Sequence, residues 1–149
     1  MALKQNTWTL NQWYDQDVAG NVSYSGELAL MAWGSNEIGQ MGINLRGNPG
    51  GGNYYSSPVQ IPGTTWDGSK FKSYKNHAGC IKTDGTLWMW GWNEVSQLGQ
   101  NDLTRRSSPV QVPGTTWSTL TRSSTSWQSG AIKTDGTLWL WGLQSYYCS

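Results

Sequence analysis

The chain has 149 residues, a formal net charge of +1 and 13% charged residues, about half the ~25% usual in soluble domains. That length suits one domain of ordinary size. A charge balance so close to zero excludes an electrostatic case for binding nucleic acid or acidic lipid.

Eleven Trp and 19 Gly are in excess. Trp, Tyr and Thr favour strands, and Gly favours tight turns and bulges. An all-β fold with many turns is expected. The N-terminal MALKQNTWTL has no continuous apolar core, so no secretory signal peptide is read there. No apolar run approaches the ~20 residues of a membrane helix, and no membrane association is expected.

Residues 1–63 read as a divergent first repeat unit. Asn6-Thr7-Trp8 stands where the later units have TTW, and Asn11 to Val18 is ambiguous. Ser25 to Gly34, SGELALMAWG, reads as a turn followed by a short strand. Trp33-Gly34 then opens WGSNEIGQMG, matched by WGWNEVSQLG from Trp90 to Gly99. Gly34 and Gly91 are 57 residues apart, and the extra length falls most simply in GNPGGG, Gly47 to Gly52. A Gly- and Pro-rich insertion is a loop, where length is cheap.

Residues 64–114 form the second unit and residues 115–149 an incomplete third. GCIKTDGTLWMWG, Gly79 to Gly91, matches GAIKTDGTLWLWG, Gly130 to Gly142, at 11 of 13 positions. The pairs Trp66 and Trp117, and Ser56 and Ser107 of SSPVQ(I/V)PG, are likewise 51 residues apart. A period near 50 belongs to propeller blades. Each unit reads as four strands: one around SSPVQVPG, one from the TTW tryptophan, one on GAIKTD and one on TLWLWG. Asp84-Gly85 and Asp135-Gly136 are hairpin turns that need a residue with φ > 0.

DGTLWxWG, followed by xNxxGQLG and then SSPVQVPG, resembles the repeat of the regulator of chromosome condensation family. His77, eight residues before Gly85, fits the same pattern. The likeness is strong from Ser56 to Gly142. It implies a seven-bladed β-propeller with four antiparallel strands per blade. The near-identical, WG-rich repeats are more similar to the prokaryotic or phage branch, where such repeats serve in surface or structural proteins. A virion or cell-surface location is the matching expectation. Ser96 departs from the pattern, where a Gly is usual, and Gln128 replaces the blade His. After Gly142 the motif should continue as xNxxGQLG, whereas the chain reads LQSYYCS, so the third unit is expected to be cut short.

Chemistry-bearing residues are few. Asp84 and Asp135 recur, but the first residue of a DG turn favours Asp for backbone reasons. His77 and Cys80 are two candidate ligands, too few for a zinc site, and read as a structural imidazole and a buried thiol. Cys148 completes no framework. GNPGGG lacks the Lys-Ser/Thr of a phosphate loop. No enzyme, metal or cofactor is expected.

Trp88, Trp90, Trp139 and Trp141 lie at i and i+2 and are expected to pack between blades. Trp13, Tyr14, Tyr54, Tyr55, Trp92 and Trp127 fall outside the repeated strand positions and are candidates for surface contact. Tyr54-Tyr55 reads as an exposed aromatic pair. Arg105-Arg106 is the single basic cluster, too small to indicate nucleic acid.

The sequence therefore reads as a partial β-propeller arc of about two and a half to three blades. It is expected to bind protein or to serve as a structural component. Candidate binding residues are Tyr54, Tyr55, Trp92, Arg105 and Arg106. Partners would be another protein, or further copies through open blade faces. A carbohydrate-binding adhesin is the second reading. A weaker third, which the family resemblance implies, is nucleotide exchange on a small GTPase.

Overall fold

The computed structural model describes residues 29–48, 51–121 and 127–143. Trp13, Tyr14, the segment Asn11 to Val18, the TTW counterpart at Trp8, Pro49-Gly50 and Cys148 lie outside these residues.

Nine strands form three antiparallel sheets among the described residues. The first pairs β1 (Met31–Ser35) with β2 (Tyr54–Gln60). The second has four strands, ordered β3 (Trp66–Ser73), β4 (His77–Lys82), β5 (Leu87–Gly91) and β6 (Arg106–Gln111). The third has three, β7 (Trp117–Leu120), β8 (Gln128–Lys133) and β9 (Leu138–Gly142). The fold is all-β, a partial propeller arc, and the middle sheet is a complete four-stranded blade.

The hairpins β4–β5 and β8–β9 follow from local chemistry. Asp84 Oδ1 accepts from the backbone N–H of Thr86 at 2.9 Å and from its hydroxyl at 2.6 Å. Asp135 does the same with Thr137, at 2.9 and 2.7 Å. The Thr hydroxyl oxygen in turn accepts from an indole N–H, Trp88 in one hairpin and Trp139 in the next. Gly85 and Gly136 hold φ of 79° and 85°, where a Cβ would be strained. Both aspartates are turn residues.

Alternation along β5 sends its side chains into two different interfaces. Trp90 packs toward the first sheet with Trp66, Ala78 and Cys80, joined there by Met41, Ile43 and Ile61. Leu87 and Met89 pack toward the third sheet with Ile81, Leu98, Trp117, Leu120 and Ala131. The middle blade is thus covered on both faces. His77 and Ile81 face the third sheet, whereas Cys80 faces the first. His77 and Cys80 therefore do not converge.

Two indoles close the seams between blades. The Trp90 N–H donates to the Gln40 carbonyl at 3.1 Å, and the Trp141 N–H to the Gln97 carbonyl at 2.8 Å. Each ring lies over a left-handed glycine, Gly42 or Gly99, where a Cβ would stand 2.6 or 3.1 Å from indole atoms. These glycines let the backbone approach the ring.

Trp139 departs from the expected packing. It is 50% exposed, whereas Trp88, its equivalent, is half-buried against the core. The reason is the neighbouring strand. Trp88 lies opposite Gln111 of β6, while β9 pairs only with β8 among the described residues.

Candidate functional site

The loop after β5 carries most of the surface candidates, and Asn93 organises it. Asn93 is fully buried. Its Oδ1 accepts from the Leu98 N–H at 2.8 Å, and its Nδ2 donates to the Asp102 carbonyl at 2.9 Å. Asn36 plays the same part after β1, accepting from the Met41 N–H and donating to the Leu45 and Gly47 carbonyls. A buried amide satisfied on both sides rigidifies a loop that no sheet supports. Neither asparagine is among the candidate residues read from the sequence. Their recurrence in the two WGxNE segments is the signal that could have found them.

On that frame Trp92 and Trp127 meet, with ring centroids 4.8 Å apart and planes at 63°. Trp127 is 44% exposed. The Glu94 carboxylate, also exposed, accepts from the side chains of Arg105 and Trp92, and these bonds hold its carboxyl below the usual range. Arg106 turns the other way and pairs with Asp102 at 2.5 Å. Arg105 and Arg106 are thus two separate ion pairs and not one basic patch. Sequence reasoning missed Glu94, the acceptor that joins Arg105 to Trp92.

Tyr54 and Tyr55 do not form a joint platform. Successive strand residues point to opposite faces. Tyr54 is 69% exposed, whereas Tyr55 packs against the core between the first two sheets with its hydroxyl buried.

His77 is buried and donates or accepts at Nε2 with Ser129 Oγ, 2.8 Å away in β8. Ser129 Oγ also donates to the Gln97 carbonyl at 2.7 Å, so His77 Nε2 is the donor of the pair. The ring stacks on Tyr74 at 4.4 Å, and Nδ1 has no partner. Burial pushes the imidazole down to about 4 and the Cys80 thiol up to about 12. A thiol held so far from its thiolate is a poor nucleophile. No group of three or more His, Cys, Asp or Glu among the described residues is arranged to hold a metal ion. No helix among them is long and apolar enough to cross a membrane.

The stacked antiparallel sheets define a protein of the β-propeller repeat class. Residues 84–124 match the family model described as Regulator of chromosome condensation (RCC1) repeat. The chain is 26% identical over 129 residues to the Ultraviolet-B receptor UVR8 of Arabidopsis thaliana, an alignment that takes in 84% of this chain and 27% of the receptor. Among solved structures, Prp20p from Saccharomyces cerevisiae superimposes with a TM-score of 0.61 at 17% identity, over 76% of this chain and 29% of that one. The crystal structure of Kap60 bound to yeast RCC1 (Prp20) gives 0.62 at 18% identity, over 76% and 28%. Human WBSCR16 gives 0.57 at 22%, over 81% and 29%. One such repeat is matched over residues 84–124, and the chain spans under a third of the length of these relatives.

Proposed function

We propose that the chain is a non-enzymatic propeller module that binds protein, and that one of its partners is a second copy of itself. One observation carries this reading. Leu87 and Met89 are completely buried beneath the next blade. Their counterparts 51 residues on, Leu138 and Leu140, are 57% and 63% exposed. At the opposite end Trp33, the counterpart of Trp90, is 66% exposed, against 1% for Trp90.

The two open faces are the two halves of the seam repeated inside the molecule. One presents leucines on β9, and the other presents an indole on β1. A head-to-tail contact would lay Trp33 of one copy over Leu138 and Leu140 of the next, as Trp141 closes over the Leu87 cluster within the chain. Such a heterologous contact adds blades in one direction. Exposed apolar faces of this kind mark interaction sites, since blades bury their faces only against neighbours. The structural relatives have protein partners: Kap60 for yeast RCC1, and Gsp1p and histones for Prp20p. That supports a protein partner for this class of module.

Co-purification of a tagged and an untagged preparation of the pure chain tests the reading. The untagged copy should be retained, and Leu140→Glu in both copies should release it. Absence of retention of the unaltered chain at micromolar concentration would contradict self-association.

A further inference from the structure

The repeat itself separates packing from function at the boundary between the second and third sheets. Equivalent positions share one backbone. The Trp92 N–H donates to the Asn76 carbonyl, and 51 residues on the Leu143 N–H donates to the Trp127 carbonyl, both at 2.9 Å. Trp127 therefore stands where the preceding unit has Asn76, and Trp92 where the next unit has Leu143 and the first has Ser35. The fold accepts Ser, Trp or Leu at one of these positions and Asn or Trp at the other. Packing does not require two tryptophans here, yet they meet across the seam beside an exposed Glu94–Arg105 pair.

We infer that Trp92, Trp127, Glu94 and Arg105 form a binding site for a neutral saccharide. An exposed indole face carries negative charge density, to which the C–H groups of a pyranose ring present partial positive charge. The hydroxyls of the same ring need donors and acceptors close together. Arg105 brings up to five N–H donors, and Glu94 has accepting capacity beyond the bonds it makes. The two charges neutralise each other, so the site selects against both anionic and cationic ligands. Arg106, committed to Asp102, does not join it. Neither does Tyr54, on β2 of the first sheet. This places sugar recognition at the seam between the second and third blades and not on the Tyr54-Tyr55 pair. The site is independent of the open faces of Leu140 and Trp33.

Titration with chitohexaose, cellohexaose and maltohexaose, followed by indole N–H resonances in proton–nitrogen spectra, tests it. At least one of the three should shift two indole signals, with a Kd on the order of 1 mM or tighter. Trp127→Ala should remove one of those signals and weaken binding about tenfold or more, and Glu94→Gln should weaken it while leaving the spectrum folded. Tyr54→Ala should leave the affinity unchanged. No shift with any of the three sugars at about 10 mM would overturn the inference. So would binding that survives Trp127→Ala or is lost in Tyr54→Ala.

Discussion

His77 of the second sheet and Ser129 of the third share a buried hydrogen bond of 2.8 Å, and the Ser129 hydroxyl donates in turn to the Gln97 carbonyl. This fixes the tautomer and leaves His77 Nδ1 buried without a partner. Protonating that nitrogen would place an unpaired charge in the seam between two blades. The folded-state pKa is depressed from 6.5 to about 4 by burial. Between those values the unfolded chain binds the extra proton and the folded chain does not, so stability rises with pH. A shift of that size corresponds to about 3 kcal/mol, fully present above pH 6.5 and lost progressively toward pH 4. His77 is the only histidine. Urea midpoints should therefore fall from pH 7 to pH 4 in the unaltered chain. In His77→Gln, which installs the residue found at the equivalent Gln128, they should stay nearly flat from pH 7 to pH 5. Asp67, Asp84, Glu94, Asp102 and Asp135 also have lowered carboxyl values and begin to contribute as the pH nears 4, so the contrast between the two chains is read from pH 7 to pH 5.

Trp90 and Trp141 occupy equivalent seams but unequal surroundings. Trp90 is 1% exposed, while Trp141 is half-buried. Trp90→Ala should cost about 3–5 kcal/mol, the usual range for emptying a large aromatic site. Trp141→Ala should cost less, because part of the ring meets solvent. Denaturant midpoints of the two variants, compared at unchanged m-value, check the order.

Two turn positions should respond with opposite signs. Gly136 has φ of 85° and open space around its Cβ direction, so Gly136→Ala reports backbone strain alone. It should destabilise by about 1 kcal/mol. Ser96 holds φ of 62°, the left-handed conformation that its counterpart Gly39 adopts without a side chain. Its departure from the repeat pattern keeps the turn and strains it. Ser96→Gly should stabilise by about 0.5–1 kcal/mol, net of the entropy a glycine brings to the unfolded chain. Thermal or urea unfolding reads both.

The blades were legible because their chemistry is local. Asp84, Gly85 and Thr86 make their turn with one another, and Trp88 and Trp90 alternate with Leu87 and Met89 along one short strand. Tyr55 shows a signal present but passed over, since adjacent residues in a strand cannot both face solvent on one side. Trp92 and Trp127 are different. They lie 35 positions apart in units whose relative rotation no local pattern states, so their meeting became visible only with the sheets in place. The repeat position of Trp139 predicts a residue packed against the core, as its equivalent Trp88 is. Its exposure depends on the strand beside it, which the motif within its own hairpin does not encode.

The open face of β9 is tested most directly by sedimentation velocity on the purified chain over a range of micromolar concentrations. Apolar residues at Leu138 and Leu140, buried at the same position one blade earlier, predict a mass that rises with concentration. Leu140→Glu should hold the chain as a monomer, with little loss of stability, because that side chain is exposed in the single chain. A monodisperse, cooperatively unfolding monomer of the unaltered chain at every concentration would contradict an arc that seeks a further blade.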